Sequence, residues 1–154
     1  MRKLILTFLV CTSLSAFAQK TNFSGTWQLD TLKTAFGEAP RSIIPKIIKI
    51  DQQAAQLVLT RISLNDQMQE QPAMMETLAL DGTPFQKTPA ATPVTTTLHW
   101  LDDSTLMLTR NGTLNATETW TLEDGGKTLF IDRSVEQKSN GYKYTIKCYY
   151  TRQM

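Results

Sequence analysis

Phe23-Ser24-Gly25-Thr26-Trp27-Gln28-Leu29 is the stretch on which the fold turns. Phe23, Gly25, Trp27 and Leu29 take one face of an extended chain, and Ser24, Thr26 and Gln28 take the other. Successive side chains of a strand point to opposite faces, so this alternation describes a strand with one face in a core. The other end of the chain is written the same way. Tyr142, Tyr144, Ile146, Cys148, Tyr150 and Arg152 share a face, against Lys143, Thr145, Lys147 and Thr151. Trp27 and Arg152 thus fall on the inward sets of the first and last strands. In a sheet that closes on itself these strands meet, and the guanidinium lies over the indole, worth about 0.5–2 kcal/mol depending on desolvation.

Between these ends the periodicity stays that of strands. No run of residues carries an apolar stripe at helical spacing with caps. Thr recurs at Thr95-Thr96-Thr97, Thr117, Thr119 and Thr121, and β-branched side chains fit a pleated surface better than a helix. The reading gives nine strands, near 23–30, 46–51, 55–64, 74–80, 94–101, 104–110, 115–122, 127–136 and 142–152. Asp81-Gly82, Asn111-Gly112, Asp124-Gly125 and Asn140-Gly141 supply turns that tolerate positive φ, and Asp102-Asp103-Ser104 supplies another. Short strands separated this way predict an all-β antiparallel meander, closed as a barrel or folded as a sandwich. Two stretches break the rhythm. Residues 31–45, with Gly37, Pro40 and Pro45, form a long first connection with room for one helical turn. Residues 83–93, with Pro84, Pro89 and Pro93, form a loop or a bowed edge.

The amino end predicts export. Arg2 and Lys3 precede the apolar run Leu4–Val10, and Ala16-Phe17-Ala18 gives the small-x-small cleavage pattern. That run is too short for a transmembrane helix, which needs about 20 residues. Cleavage after Ala18 divides the chain into a signal peptide, 1–18, and one domain, 19–154, destined for the periplasm or the medium. A lipoprotein signal with Cys11 acylated is the rival. The residue before such a Cys is normally small, whereas here it is Val10, and the later Ala-x-Ala would have no purpose.

Of the 16 Lys and Arg, two lie in the signal, and the others balance the 14 Asp and Glu. A near-neutral domain without charge clusters gives no electrostatic case for nucleic acid or an anionic membrane. After cleavage only Cys148 remains, so no intramolecular disulfide forms, and Cys148 reads as a small buried apolar residue. Nothing fixes the oligomeric state.

Phe23-Ser24-Gly25-Thr26-Trp27 resembles the opening Gly-x-Trp strand of calycins, the group of lipocalins and fatty-acid-binding proteins. Tyr149-Tyr150-Thr151-Arg152 resembles the calycin end, where a basic residue packs over that Trp. Asp30-Thr31-Leu32-Lys33-Thr34, Glu118-Thr119-Trp120-Thr121-Leu122 and Asp124-Gly125-Gly126-Lys127-Thr128-Leu129 are similar to motifs of bacterial secreted lipocalin-like domains. The resemblance spans most of the chain after residue 18. It implies an antiparallel up-and-down barrel of about eight to ten strands, open at one end, holding a small apolar molecule. A disulfide tying the chain end to the barrel is missing.

The chemistry-bearing residues are few. His99 is the one histidine; by parity it opposes Leu98 and Trp100 and faces outward, with no partner for base or metal chemistry. Asp102-Asp103 and Glu123-Asp124 sit in turns, where Asp bonds its own backbone. No motif for a metal, a cofactor or a nucleophile is present, and the chain reads as non-enzymatic. Trp100, Trp120, Tyr144 and Met74 are candidates to line a ligand cavity. Arg110 and Glu118 carry inward parity on either side of Asn111-Gly112 and are expected to pair across strands near one barrel mouth, as polar anchors, with Arg61 or Glu76 beside them. The function expected is binding of a small hydrophobic ligand. The alternative is an envelope interaction or structural module whose barrel is filled by side chains.

Overall fold

The computed structural model describes residues 19–37, 39–87 and 93–154. The signal-peptide reading of 1–18 lies outside the described residues. Ten strands run in chain order: β1 Gly25–Leu29, β2 Ile47–Gln52, β3 Gln56–Ile62, β4 Met74–Ala79, β5 Phe85–Lys87, β6 Val94–Trp100, β7 Leu106–Asn111, β8 Leu114–Glu123, β9 Thr128–Gln137 and β10 Lys143–Gln153. The first connection holds one turn of 3-10 helix at Arg41–Ile43. No helix among the described residues is long and apolar enough to cross a membrane.

The strands form one antiparallel sheet in the order β4-β3-β2-β1-β10-β9-β8-β7-β6-β5. Neighbours in sequence are neighbours in space except at two places. β1 and β10 pair, which joins the two ends of the meander. β4 and β5 do not pair, which leaves a seam. The seam is stitched at one end, where Asp81 bridges His99 and the Gly82 N–H donates to the Leu98 carbonyl at 2.9 Å. The result is a nearly closed up-and-down barrel. The tenth strand, β5, falls where the sequence reading expects a loop or bowed edge. Phe85, Gln86 and Lys87, between Pro84 and Pro89, pair with Thr96, Thr95 and Val94, a short sheet edge of the kind proline permits.

Trp27 sits opposite both Ile48 and Arg152. Its ring is fully buried, its Nε1–H donates to the Phe23 carbonyl at 3.0 Å, and the Arg152 guanidinium lies 4.6 Å from the ring centroid. Gly25 has φ +149°, a conformation strained for any side chain, and an added Cβ would stand 3.7 Å from that guanidinium. The first and last strands are therefore joined as their parity predicts.

Alternation continues around the barrel. Leu57, Leu59, Leu78, Leu98, Leu106, Leu108, Trp120 and Leu129 point inward and are fully buried. The outer face carries a row of hydroxyls, Thr97, Thr109, Thr117, Ser134 and Thr145, each directly opposite the next.

One barrel end is stopped. Residues 19–24 leave β1 and reach the β6–β7 turn, several strands away around the sheet. There the Thr21 N–H donates to the Asp103 carbonyl at 2.9 Å, and Lys20 Nζ meets Asp103 Oδ1 at 2.7 Å. Beneath this strap Phe23 is fully buried, its ring 6.0 Å from that of Trp100. The opposite end carries the longer connections, including residues 30–46 and 63–73, and is called the loop end below.

Candidate functional site

Five charged side chains converge inside the barrel toward the loop end. Arg61 of β3, Glu76 of β4, Arg110 of β7, Glu118 of β8 and Arg133 of β9 all carry inward parity. Glu118 stands opposite Arg133 across β8 and β9. Its Oε2 accepts from Arg61 Nη2 at 3.1 Å and from Trp120 Nε1–H at 2.9 Å, and its Oε1 lies 3.6 Å from Arg133 Nε. Glu76 Oε2 accepts from Arg110 Nη2 at 2.7 Å and lies 3.7 Å from Arg61 Nη1. Three guanidiniums thus face two carboxylates.

The expected Arg110–Glu118 pair does not form. The turn after Asn111 sets Arg110 opposite Ala116 and Glu118 opposite Leu108. Arg110 then reaches across the barrel to Glu76, and Glu118 is met by Arg61 and Arg133. The sequence reading named Arg61 and Glu76 as additional anchors. It missed Arg133, although the inward run Leu129, Ile131, Val135 carries Arg133 with it.

Burial alone would push the Glu118 carboxyl up. The nearby guanidiniums of Arg61, Arg133 and Arg110, with the Trp120 N–H, outweigh burial and hold it below the usual carboxylate range. Burial likewise pulls the Arg61 guanidinium below its ordinary value, opposed by Glu118 and Glu76. The space beside Glu118 is slight. Ile44, Ile48, Arg61, Glu118, Cys148 and Tyr150 help to enclose a cavity of about 10 Å³. Burial pushes the Cys148 thiol up to about 12 and the Tyr150 phenol well above its usual value.

The cluster reaches the loop end through two hydrogen bonds. Arg133 Nη1 donates to the Ile43 carbonyl at 3.1 Å, and the Tyr150 hydroxyl donates to the Pro45 carbonyl at 3.1 Å. The segment they hold forms part of a second, larger cavity of about 230 Å³, whose apolar wall is Leu29, Phe36, Ile44, Leu64 and Met68. Gln28, Arg41, Ser42 and Lys46 supply its polar rim. Ile44 lines both cavities.

One wall is a tight hairpin closed by a Leu64–Glu70 bridge. At its tip Asn65 Oδ1 accepts from the N–H groups of Gln67 and Gln69 at 3.0 and 2.9 Å, and Met68 is held at φ +63°. Nothing in strand periodicity points to these residues, because they lie in connections. The available signal was apolar residues, Phe36 and Ile43-Ile44, inside a stretch otherwise read as loop.

The remaining candidates scatter. Trp120 is fully buried and belongs to the cluster through its N–H. Trp100 stands at the stopped end, with Lys20 Nζ 5.1 Å from its ring centroid. Tyr144 is partly buried near the start of β10, its ring 5.9 Å from that of Tyr142. Met74 lies opposite Arg61 and lines a separate cavity of about 340 Å³ with Arg61 and Gln71. His99 is outward and partly buried. Asp102 and Asp124 are bound within their turns, Asp102 accepting from the Ser104 N–H at 2.7 Å and Asp124 from the Thr128 hydroxyl at 2.8 Å.

No protein-family model and no curated protein sequence matches the chain. Solved structures do. A fatty acid binding protein of Schistosoma mansoni in complex with arachidonic acid is similar over 86% of this chain and 96% of its own, with TM-score 0.60 and 15% identity. A mutant of the fluorescent protein UnaG is similar over 86% and 96%, with TM-score 0.56 and 14% identity. A fatty acid binding protein from Drosophila melanogaster brain, without citrate inside, is similar over 84% and 99%, with TM-score 0.56 and 16% identity. At these identities the likeness shows the fold alone, a nearly closed antiparallel up-and-down barrel.

Proposed function

We propose that the chain is an exported, non-enzymatic carrier of one small hydrophobic molecule, loaded at the loop end of its barrel. The observation that carries this reading is the apolar cavity of about 230 Å³ whose floor is tied to the barrel interior through Ile43, held by Arg133, and Pro45, held by Tyr150. A concave apolar surface with a few converging polar groups is the usual form of a small-molecule site. Inward charges are costly to hold in a barrel core. Here Arg133 gains a use, because it fixes the backbone under the cavity. Glu118 stands behind the site through Arg133, whereas Trp100 lies at the far end.

Two of the named neighbours are fatty acid binding proteins, one with arachidonic acid, which supports the class of cargo. Export rests on Arg2 and Lys3, the apolar run Leu4–Val10 and Ala16-Phe17-Ala18. Intact mass of the protein from its own host tests this: a chain beginning at Gln19 is expected, and a chain acylated at Cys11 or still carrying Met1 would refute it.

Native mass spectrometry of the same preparation tests the carrier reading. A co-purified small molecule is expected. A clean apo mass, together with no response to a panel of lipids and small aromatics, would overturn it. That result would favour the second reading, an envelope interaction module with no ligand. The observation behind this second reading is the filled interior, where Trp120, Leu106 and Ile146 are fully buried beside a cavity of about 10 Å³.

A further inference from the structure

We infer that the ligand is a compact anion with an aromatic or short apolar body, seated in the loop-end cavity rather than in the barrel centre, with Arg41 as the residue that reads its charge. This rests on the carrier reading above and narrows it to a site and a chemical class.

Space decides the first half. The barrel between the strap and the cluster is filled by Trp27, Trp120 and the inward leucines, all fully buried. The cavity at the cluster, about 10 Å³, holds no organic molecule. The loop-end cavity, about 230 Å³, exceeds the roughly 150 Å³ of a cavity known to bind benzene and falls short of the roughly 300 Å³ at which drug-sized pockets begin. It suits a fused ring pair or a chain of a few carbons. A long acyl chain does not fit without displacing Ile44 and the side chains beneath it.

Chemistry decides the second half. The cavity wall is apolar from Leu29 to Met68, and the polar groups sit at its rim. Lys46 is already paired, with Glu70 at 2.8 Å. Arg61, Arg110 and Arg133 are all engaged by Glu76 or Glu118. Arg41 differs. Its guanidinium lies 4.7 Å from the Phe36 ring centroid, and among the described residues no carboxylate stands within ion-pair distance of it. Asp66 shares an outer cavity with Arg41 and Met68 but makes no ion pair with it. A guanidinium laid on an aromatic ring keeps its edge donors available for a carboxylate or a sulfonate.

Two neutral groups complete the rim. The Gln28 amide and the Ser42 hydroxyl make no hydrogen bond among the described residues, and both line the cavity. On the opposite wall Met68 keeps a backbone conformation that a non-glycine residue rarely adopts, with the Asn65 side chain accepting from the N–H groups on either side of it. Such positions persist where the surroundings over-determine them, and they concentrate at ligand clamps.

The test uses 2-naphthoate and its neutral analogue 2-naphthalenemethanol, titrated into the protein and followed by methyl and amide NMR. Both probes are expected to shift Leu29, Ile44, Leu64 and Met68, with naphthoate the tighter. Arg41→Gln is expected to weaken naphthoate about fivefold, the size of an exposed ion pair, and to leave the alcohol within about twofold. Ser42→Phe, which fills the cavity, is expected to abolish both while the rest of the spectrum is kept. Equal loss for the two probes in Arg41→Gln would overturn the role of Arg41. Shifts centred on Arg61, Glu118, Ile131 and Cys148, or tighter binding of palmitate at those residues, would overturn the site and leave the carrier reading standing. No binding by any probe or lipid would overturn both.

Discussion

Single residues carry the energetics of this barrel. Trp27→Ala removes a fully buried ring and the base on which Arg152 rests, and is expected to cost about 3–5 kcal/mol in urea unfolding; an unchanged midpoint would refute its core role. Glu118 is expected to behave differently from a neutral core residue. Glu118→Leu alone leaves Arg61 buried against Glu76 at 3.7 Å, and should cost about 3–5 kcal/mol, whereas Arg61→Met with Glu118→Leu should recover much of that loss. A double variant no more stable than Glu118→Leu alone would refute this.

The Glu118 carboxyl titrates lower in the folded chain than in the unfolded one, so the folded state binds fewer protons. The stability it confers is complete above the unfolded value of about 4.3 and drains away as pH falls through the lower folded value. The double variant should therefore show a shallower acid limb in a pH series of unfolding midpoints. Cys148 acts on the alkaline side. Its folded thiol, pushed up to about 12, stays protonated where the unfolded thiol ionises, near about 8.5, so stability falls across that window; Cys148→Ala should flatten it. The inward parity of Glu118 and Arg110 was legible in the sequence. Their partners were not, because a partner depends on register, and a shift of a single pair sends each side chain to a different neighbour.

At the scale of elements the strands announced themselves and the connections did not. Alternation and turn chemistry place β6 to β10 close to their observed bounds, since Asn111-Gly112, Asp124-Gly125 and Asn140-Gly141 each fall where the chain reverses. β5 was hidden because a strand of three residues is too short to show alternation. The cavity wall was hidden for a related reason: apart from Leu29 and Leu64, its apolar side chains come from the connections, where no period constrains which side chain meets which. The seam makes the element-level prediction. β4 and β5 lack a hydrogen-bonded strand on one side; among the described residues the backbone is held across the seam by the Asp81–His99 bridge and the Gly82-to-Leu98 bond. Amide hydrogen exchange should be faster in β4 and β5 than in β8, β9 and β10, which are paired on both sides. Uniform protection around the barrel would show that the seam is closed in solution.

For the whole molecule, the inference that mattered was that the two ends of the meander meet, and it came from two residues, Trp27 and Arg152, now found directly opposite each other. Because every inward strand face drains into one core, urea unfolding should show coincident midpoints by tryptophan fluorescence and far-ultraviolet circular dichroism; separated midpoints would divide the barrel into independent parts. The strap over the far end has a kinetic consequence. With Phe23 seated below it and Lys20 pinned to Asp103 at 2.7 Å, the tube is a cul-de-sac. A ligand at the loop end therefore comes and goes without crossing the strap. Loosening it with Asp103→Ala should leave the departure rate in a stopped-flow chase unchanged; a faster departure would mean that the far end offers a second route.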